Sequence, residues 1–245
     1  MNNILTIFRR EVAAYFNSPI AYIFIGMFVF FLAFLFFVIP FQFFQQENPE
    51  LRSFFSAFPW VLAFLSPAVT MRLWSEEKRS GTIELLMTWP LQAWEIVVGK
   101  YLAGLFVIAV SLALTLIVPL VLSSVTSIEW GLVFTSYLGA LLISSVYVAL
   151  GACASTLTSN QIVSLLIATA FSLVMVTIGF PPVVRFLNGI FEGMGKFIGW
   201  FGTYRQFQDF SKGLVNPVGL IYGFSLTVFF LVLNNLLVEG RKFRG

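Results

Sequence analysis

Histidine is absent from this 245-residue chain, and cysteine occurs once, as Cys153 in an apolar run. No imidazole is therefore on hand for acid–base catalysis or for binding zinc. A single cysteine excludes an internal disulfide framework and a thiolate metal cluster. Charge is scarce too: 10% of residues are Asp, Glu, Lys or Arg, against about a quarter in soluble domains. The net charge of +3 is small and the basic residues are scattered, which excludes a nucleic-acid surface. The terminal group Arg241, Lys242 and Arg244 reads as membrane-side charge. What fills the chain is apolar: 59% hydrophobic residues, 30 of them Phe, and a mean hydropathy of +0.93. One aqueous core cannot bury that much, so the class is an all-α polytopic membrane protein. Residues 1–245 read as a single transmembrane domain, and no appended soluble domain is expected.

Runs of about 20 apolar residues mark six spans: Ile20–Phe37, Phe55–Leu73, Ile96–Leu122, Gly131–Ser155, Ile162–Phe180 and Val218–Val238. The second is the weakest, because Pro59 and Pro67 remove backbone donors. Lys and Arg are counted nine to five in favour of the side holding both termini and the segment 74–90, which is therefore expected to be cytoplasmic. Residues 1–16 read as an interfacial amphipathic helix, with Ile4, Leu5, Phe8, Val12 and Tyr15 on one face and Thr6, Arg9, Arg10 and Glu11 largely opposite. The segment 181–216 is too polar to span and too aromatic for a solvated loop. It reads as two short extracytoplasmic helices broken around Gly193 and Gly195, either re-entrant or interfacial. All six Trp residues (Trp60, Trp74, Trp89, Trp94, Trp130 and Trp200) fall at expected interfaces.

No Asp, Glu, Lys or Arg falls in the middle third of any expected span. Lys100 comes nearest and is expected to snorkel to the cytoplasmic edge. An ion-coupled carrier or an intramembrane protease is hard to build from such a chain. A nucleotide-binding P-loop is missing as well. The Gly99-Lys100 and Gly195-Lys196 pairs have Trp94 and Ile190 where the first glycine belongs, and Tyr101 and Phe197 follow the lysines. No bound cofactor is expected, and work against a gradient needs energy from another chain.

The charge that does exist collects in "SEEKRSGTIELLMTWP", Ser75 to Pro90. Ser75 reads as the cap of a short helix that carries Glu76 and Glu77 first and Lys78 and Arg79 last, an order that suits the helix dipole. Gly81 reads as its left-handed terminator. Thr82 then caps a second helix, with Glu84 in its first turn and Ile83, Leu86 and Met87 on one side. Such a helix is shaped to dock in a groove on a cytoplasmic partner, or else forms a solvated loop. On the fourth span, Ala140, Ser144, Gly151 and Ser155 form a stripe of small residues, suited to a dimer interface or path, or equally to packing within the chain.

At these residues the chain resembles ABC-2 type transporter permeases. The likeness rests on Glu77, Gly81, Thr82, Glu84, Leu85, Leu86 and Pro90, followed by Trp94, Glu95, Ile96, Val97, Gly99 and Lys100. "FRREVAAYFNSPIAY" and "LSPAVTMRLWSEEKRSGT" resemble the gliding-motility-associated subgroup. The resemblance covers the chain in topology and residues 1–105 in motif. It implies a dimeric permease of the bacterial inner membrane, with 74–90 as the coupling loop to a separate ABC ATPase subunit that binds ATP and Mg. It also implies a second permease subunit and an auxiliary membrane protein with a periplasmic domain. The Phe-rich walls suit an amphiphilic or polymeric substrate or membrane lipid. The alternative is a mechanotransmitter or assembly scaffold that moves no solute.

Overall fold

Proline decides where the long apolar runs break. The computed structural model describes residues 2–38, 51–84, 91–124, 127–190 and 192–242; these are helical nearly throughout, with no strand among them. The helices are α1 (Asn2–Phe16), α2 (Pro19–Val38), α3 (Leu51–Ser56), α4 (Phe58–Thr70), α5 (Arg72–Arg79), α6 (Ala93–Thr115) and α7 (Ile117–Ser123). They continue as α8 (Trp130–Leu157), α9 (Gln161–Thr177), α10 (Pro181–Ile190), α11 (Met194–Trp200), α12 (Thr203–Phe210) and α13 (Pro217–Lys242).

Three stretches are long and apolar enough to cross a membrane: Ala93–Ser123, Trp130–Leu157 and Pro217–Gly240. Two pairs, α1 with α2 and α9 with α10, qualify only as broken spans, each bent by 73°. The six expected spans are thus met by three to five. The second, Phe55–Leu73, is not one helix. Residues 51–79 are helical in three pieces, interrupted at Ala57 and Met71. Pro59 lies in the first turn of α4, where its missing N–H is tolerated, and Pro67 sits inside the helix and removes a donor there. A similar break at Leu116 precedes Pro119.

α4 is nonetheless the centre of the bundle. Eleven of its residues are buried, from Phe58 to Thr70, against α2, α6, α8 and α9. At its start Phe54, Phe55 and Phe58 pack edge to face, and Phe55 and Phe58 each meet the Tyr137 ring of α8 at 5.7 Å. The Tyr137 hydroxyl is paired with Thr115 of α6 at 2.9 Å.

α8 serves as a ruler for the bundle. Near its C-terminal end, Ser155 touches the start of α5. Near its N-terminal end, the Thr135 hydroxyl donates to the Phe210 carbonyl at the end of α12. The two contacts lie about 30 Å apart along the axis at 1.5 Å per residue, close to the thickness of a hydrocarbon core. The charged loop and the 181–216 segment therefore belong to opposite ends of the bundle. That segment forms three helices rather than two. The break at Gly193, where φ is +86°, is as expected. A second one follows Trp200, and α12 then runs alongside α8, with the Thr203 hydroxyl 2.6 Å from that of Tyr147.

The α4–α8 crossing depends on Gly151. A Cβ there would lie 1.9 Å from the Thr70 hydroxyl and 3.0 Å from Thr70 Cβ, and that hydroxyl is bound to the Ser66 carbonyl. Gly151→Ala is expected to cost about 1–3 kcal/mol, read as a lower Tm in detergent. Gly131→Ala on the same helix, with nothing within 4 Å, leaves Tm unchanged or slightly raised.

Candidate functional site

Four charges follow one another on α5, and helical rotation of about 100° per residue sends them to different places. Glu76 and Arg79 are exposed. Lys78 donates to the Thr156 carbonyl at the end of α8. Glu77 turns inward to Lys100, which is 1% exposed.

Lys100 does not snorkel. Its Nζ lies 2.8 Å from the Leu73 carbonyl, 2.8 Å from Glu77 Oε1 and 3.0 Å from Glu11 Oε1. An ammonium has three protons, and here each has an acceptor. The Trp74 ring lies beside it, 5.2 Å from Nζ to the centroid. Arg10 completes the set, with Nη2 at 2.7 Å from Glu11 and 3.1 Å from Glu77. Two cations and two carboxylates thus balance, the arrangement that makes a buried lysine tolerable. Trp74 is accordingly a core residue rather than an interfacial anchor. Trp94, Trp130 and Trp200 are exposed, Trp60 is half-buried and Trp89 lies outside the described residues.

Glu11 reaches this node because α1 lies along α6 with a four-residue rhythm. Asn3 donates to Glu95 at 3.1 Å, Ile7 is buried against Gly99, and Glu11 meets Lys100. The inward face of α1 is therefore centred on Ile7 and includes Glu11, while Leu5 is exposed. Glu95 also accepts the Gln92 N–H at 3.1 Å and so closes the start of α6. Burial pushes the Glu11 carboxyl up, but Lys100 and Arg10 together outweigh it and hold it below its ordinary value of 4.5.

The break at Met71 has its own partner. Ser155 Oγ accepts the Trp74 and Ser75 N–H groups at 3.0 and 3.1 Å and donates to the Met71 carbonyl at 2.9 Å. A side chain lodged in the helical ladder is a recognised cause of a break. Ser75 is therefore not a cap: α5 starts at Arg72, and the Ser75 hydroxyl bonds back to Met71. The rest of the small-residue stripe is likewise used inside the chain. Ala140, Ser144 and Gly151 are all buried, with Gly151 against Thr70.

Beyond α5 the backbone turns at Gly81, with φ +72°, as the sequence suggests. Thr82 pairs with the Ser80 hydroxyl at 2.9 Å, and residues 82–84 are helical. Gly81, Thr82 and Glu84 are exposed, and Ile83 is half-buried. Ile83 lines a recess with Lys78, Leu157, Thr158 and Ser159. Leu86 and Met87 lie outside the described residues. Sequence reasoning singled out the loop for its charge but did not bring Glu11 and Lys100 to its base or join Asn3 to Glu95. The one available signal was the spacing of Asn3, Ile7 and Glu11 at successive fourth positions.

Lys100→Met leaves Glu11 and Glu77 facing each other without their central cation. A loss of about 3–5 kcal/mol is expected, read as a collapse of Tm in detergent, and Glu77→Gln in the same chain restores part of it. A carboxyl with a lowered pKa stabilises above its unfolded pKa and loses that contribution as pH falls through the folded value. The Tm advantage of wild type over Glu11→Gln should therefore be full at neutral pH and shrink below pH 4.5.

A search among curated proteins finds no match. A family model described as "ABC-2 family transporter protein" matches residues 5–231, nearly the whole chain. That match takes in the node, the loop and the bundle around α4. This chain belongs to the ABC-2 family of transporter proteins, as a multi-pass membrane permease.

Proposed function

We propose that the chain is the permease of an ATP-driven exporter, and that a separate ABC ATPase subunit, which binds ATP and Mg, docks on the loop 74–90. The observation that carries this reading is the loop's division of labour. Its tip (Arg79, Gly81, Thr82 and Glu84) is exposed. Its base is tied to α6 through Glu77 and Lys100, to α1 through Glu77 and Arg10, and to α8 through Lys78 and Ser155. A push on the tip is thus delivered to three helices at once. The lack of a P-loop in the sequence supports an outside source of energy.

In this reading Glu76, Arg79 and Glu84 supply polar contacts to the ATPase, and Ile83, Leu86 and Met87 supply packing. Glu77 and Lys78 act from behind as the loop's anchors. A second permease subunit completes the complex in the bacterial inner membrane, with both termini on the ATPase side. The apolar helices suit an amphiphilic or polymeric substrate. The N-terminal motif supports a place near the gliding-motility subgroup. The family's description as a transporter does not favour a scaffold that moves no solute.

Pull-down of the tagged chain from native membranes is expected to recover an ABC ATPase. Glu84→Arg should lower permease-dependent ATPase activity at least about tenfold, a loss of about 1.4 kcal/mol or more of coupling, with membrane insertion unchanged. Normal activity in that variant would remove Glu84 from the interface, and absence of any ATPase would overturn the reading.

A further inference from the structure

At the end of the bundle remote from the charged loop, α10 and α11 pack against each other and leave an unusual surface. No residue of α10 is buried. Phe186 is 69% exposed and Phe197 of α11 is 71% exposed, and Ile190, Trp200 and Phe201 are exposed as well. Phe197, Trp200 and Phe201 form one aromatic group, with ring centroids 5.7 and 5.9 Å apart. The two helices also carry the exposed cation pair Arg185 and Lys196, and Arg205 of α12 reaches the Lys196 carbonyl at 3.3 Å. Arg205 and Lys196 are thereby held close together. Between residues 181 and 208 the one acid is Glu192. None of the ion pairs among the described residues involves Arg185, Lys196 or Arg205.

We infer that α10 and α11 form a docking surface for anionic phospholipid headgroups. Three observations carry this. The bend of 73° between α9 and α10 turns α10 nearly across the direction of the helix before it, as an interfacial helix requires. α9 is 17 residues long, about 25 Å, close to the ~30 Å of a hydrocarbon core, and α10 begins at its far end. Exposed Phe and Trp beside unpaired Arg and Lys is the composition that seats a helix in that layer. The aromatic rings enter the acyl boundary while the cations face the phosphates. Each Lys or Arg near an anionic surface adds attraction that salt screens. A protein partner of acidic character and a neutral bilayer are the rival occupants.

The test uses the full chain in nanodiscs of phosphatidylcholine containing phosphatidylglycerol, with bromine on the acyl chains of one lipid or the other. The contribution of Trp200 is read as the difference in fluorescence between wild type and Trp200→Phe. The expected result is quenching of Trp200 at least about twofold stronger with brominated phosphatidylglycerol than with brominated phosphatidylcholine. That preference should vanish at about 0.5 M salt and in the triple variant Arg185→Gln, Lys196→Gln, Arg205→Gln. It should persist in the charge-keeping triple Arg185→Lys, Lys196→Arg, Arg205→Lys. Equal quenching by the two lipids would overturn recognition of charge, and absence of quenching by either would place Trp200 against water or protein and overturn the surface altogether. No arm of the experiment depends on ATPase coupling.

Discussion

One ammonium group organises the half of this protein that carries the charged loop. Lys100 is buried too deeply to be solvated, so it must be surrounded by acceptors, and those acceptors come from elsewhere in the chain. Meeting that demand brings α1 under the bundle, turns one face of α5 inward and fixes the first turns of α6. Without the ion pairs, α5 would be a polar helix of 8 residues held only by Leu73, Trp74 and its bonds to Ser155 and Thr156. A short helix in water is marginal by itself. What gives this one a fixed place is an inner face that buries Leu73 and Trp74 and also carries the counter-charge a neighbour cannot do without.

The opposite constraint governs the middle of the bundle. α4 contains two prolines and still forms the most enclosed helix. Proline is tolerated there because the helix is short and its ends pass directly into α3 and α5. Freed backbone groups inside a membrane protein must find other partners, and at Met71 the partner is a hydroxyl from α8. The break is thus part of the packing. The same logic makes small residues on α8 indispensable: Gly151 lets the backbone approach Thr70, and Ser155 supplies a donor and an acceptor at one point.

Much of this was legible in the sequence, and the parts that were not share a cause. Long apolar runs between prolines and the left-handed turn at Gly81 are local patterns, and they predict local structure well. Whether Lys100 reaches outward to headgroups or inward to carboxylates is not local. Its partners lie 89 and 23 positions away, and nothing in the residues around it distinguishes the two outcomes. Trp74 is the same case, since an aromatic next to a charged loop suits an interface until a cation is packed against it. Ser75 was misread for a related reason. A serine before acidic residues looks like a cap, but the helix starts three residues earlier because Ser155 caps that turn from another helix. Of the six expected spans, the second is the one that no candidate span covers, and there proline makes periodicity least informative.

The membership of the charge cluster also bears on the order in which the chain is made. Arg10, Glu11, Leu73, Trp74, Glu77 and Lys100 all lie within the first hundred residues, and they need nothing from the second half to neutralise one another. Ser155 and Thr156 emerge later. Synthesis proceeds from the N-terminus, so the lysine can be shielded while α8 is still on the ribosome, and an unpaired cation need never wait in lipid for a partner. The joint at Met71 has no such head start. The ionic half of the site is therefore an early product of biogenesis, and its connection to the rest of the bundle is a late one.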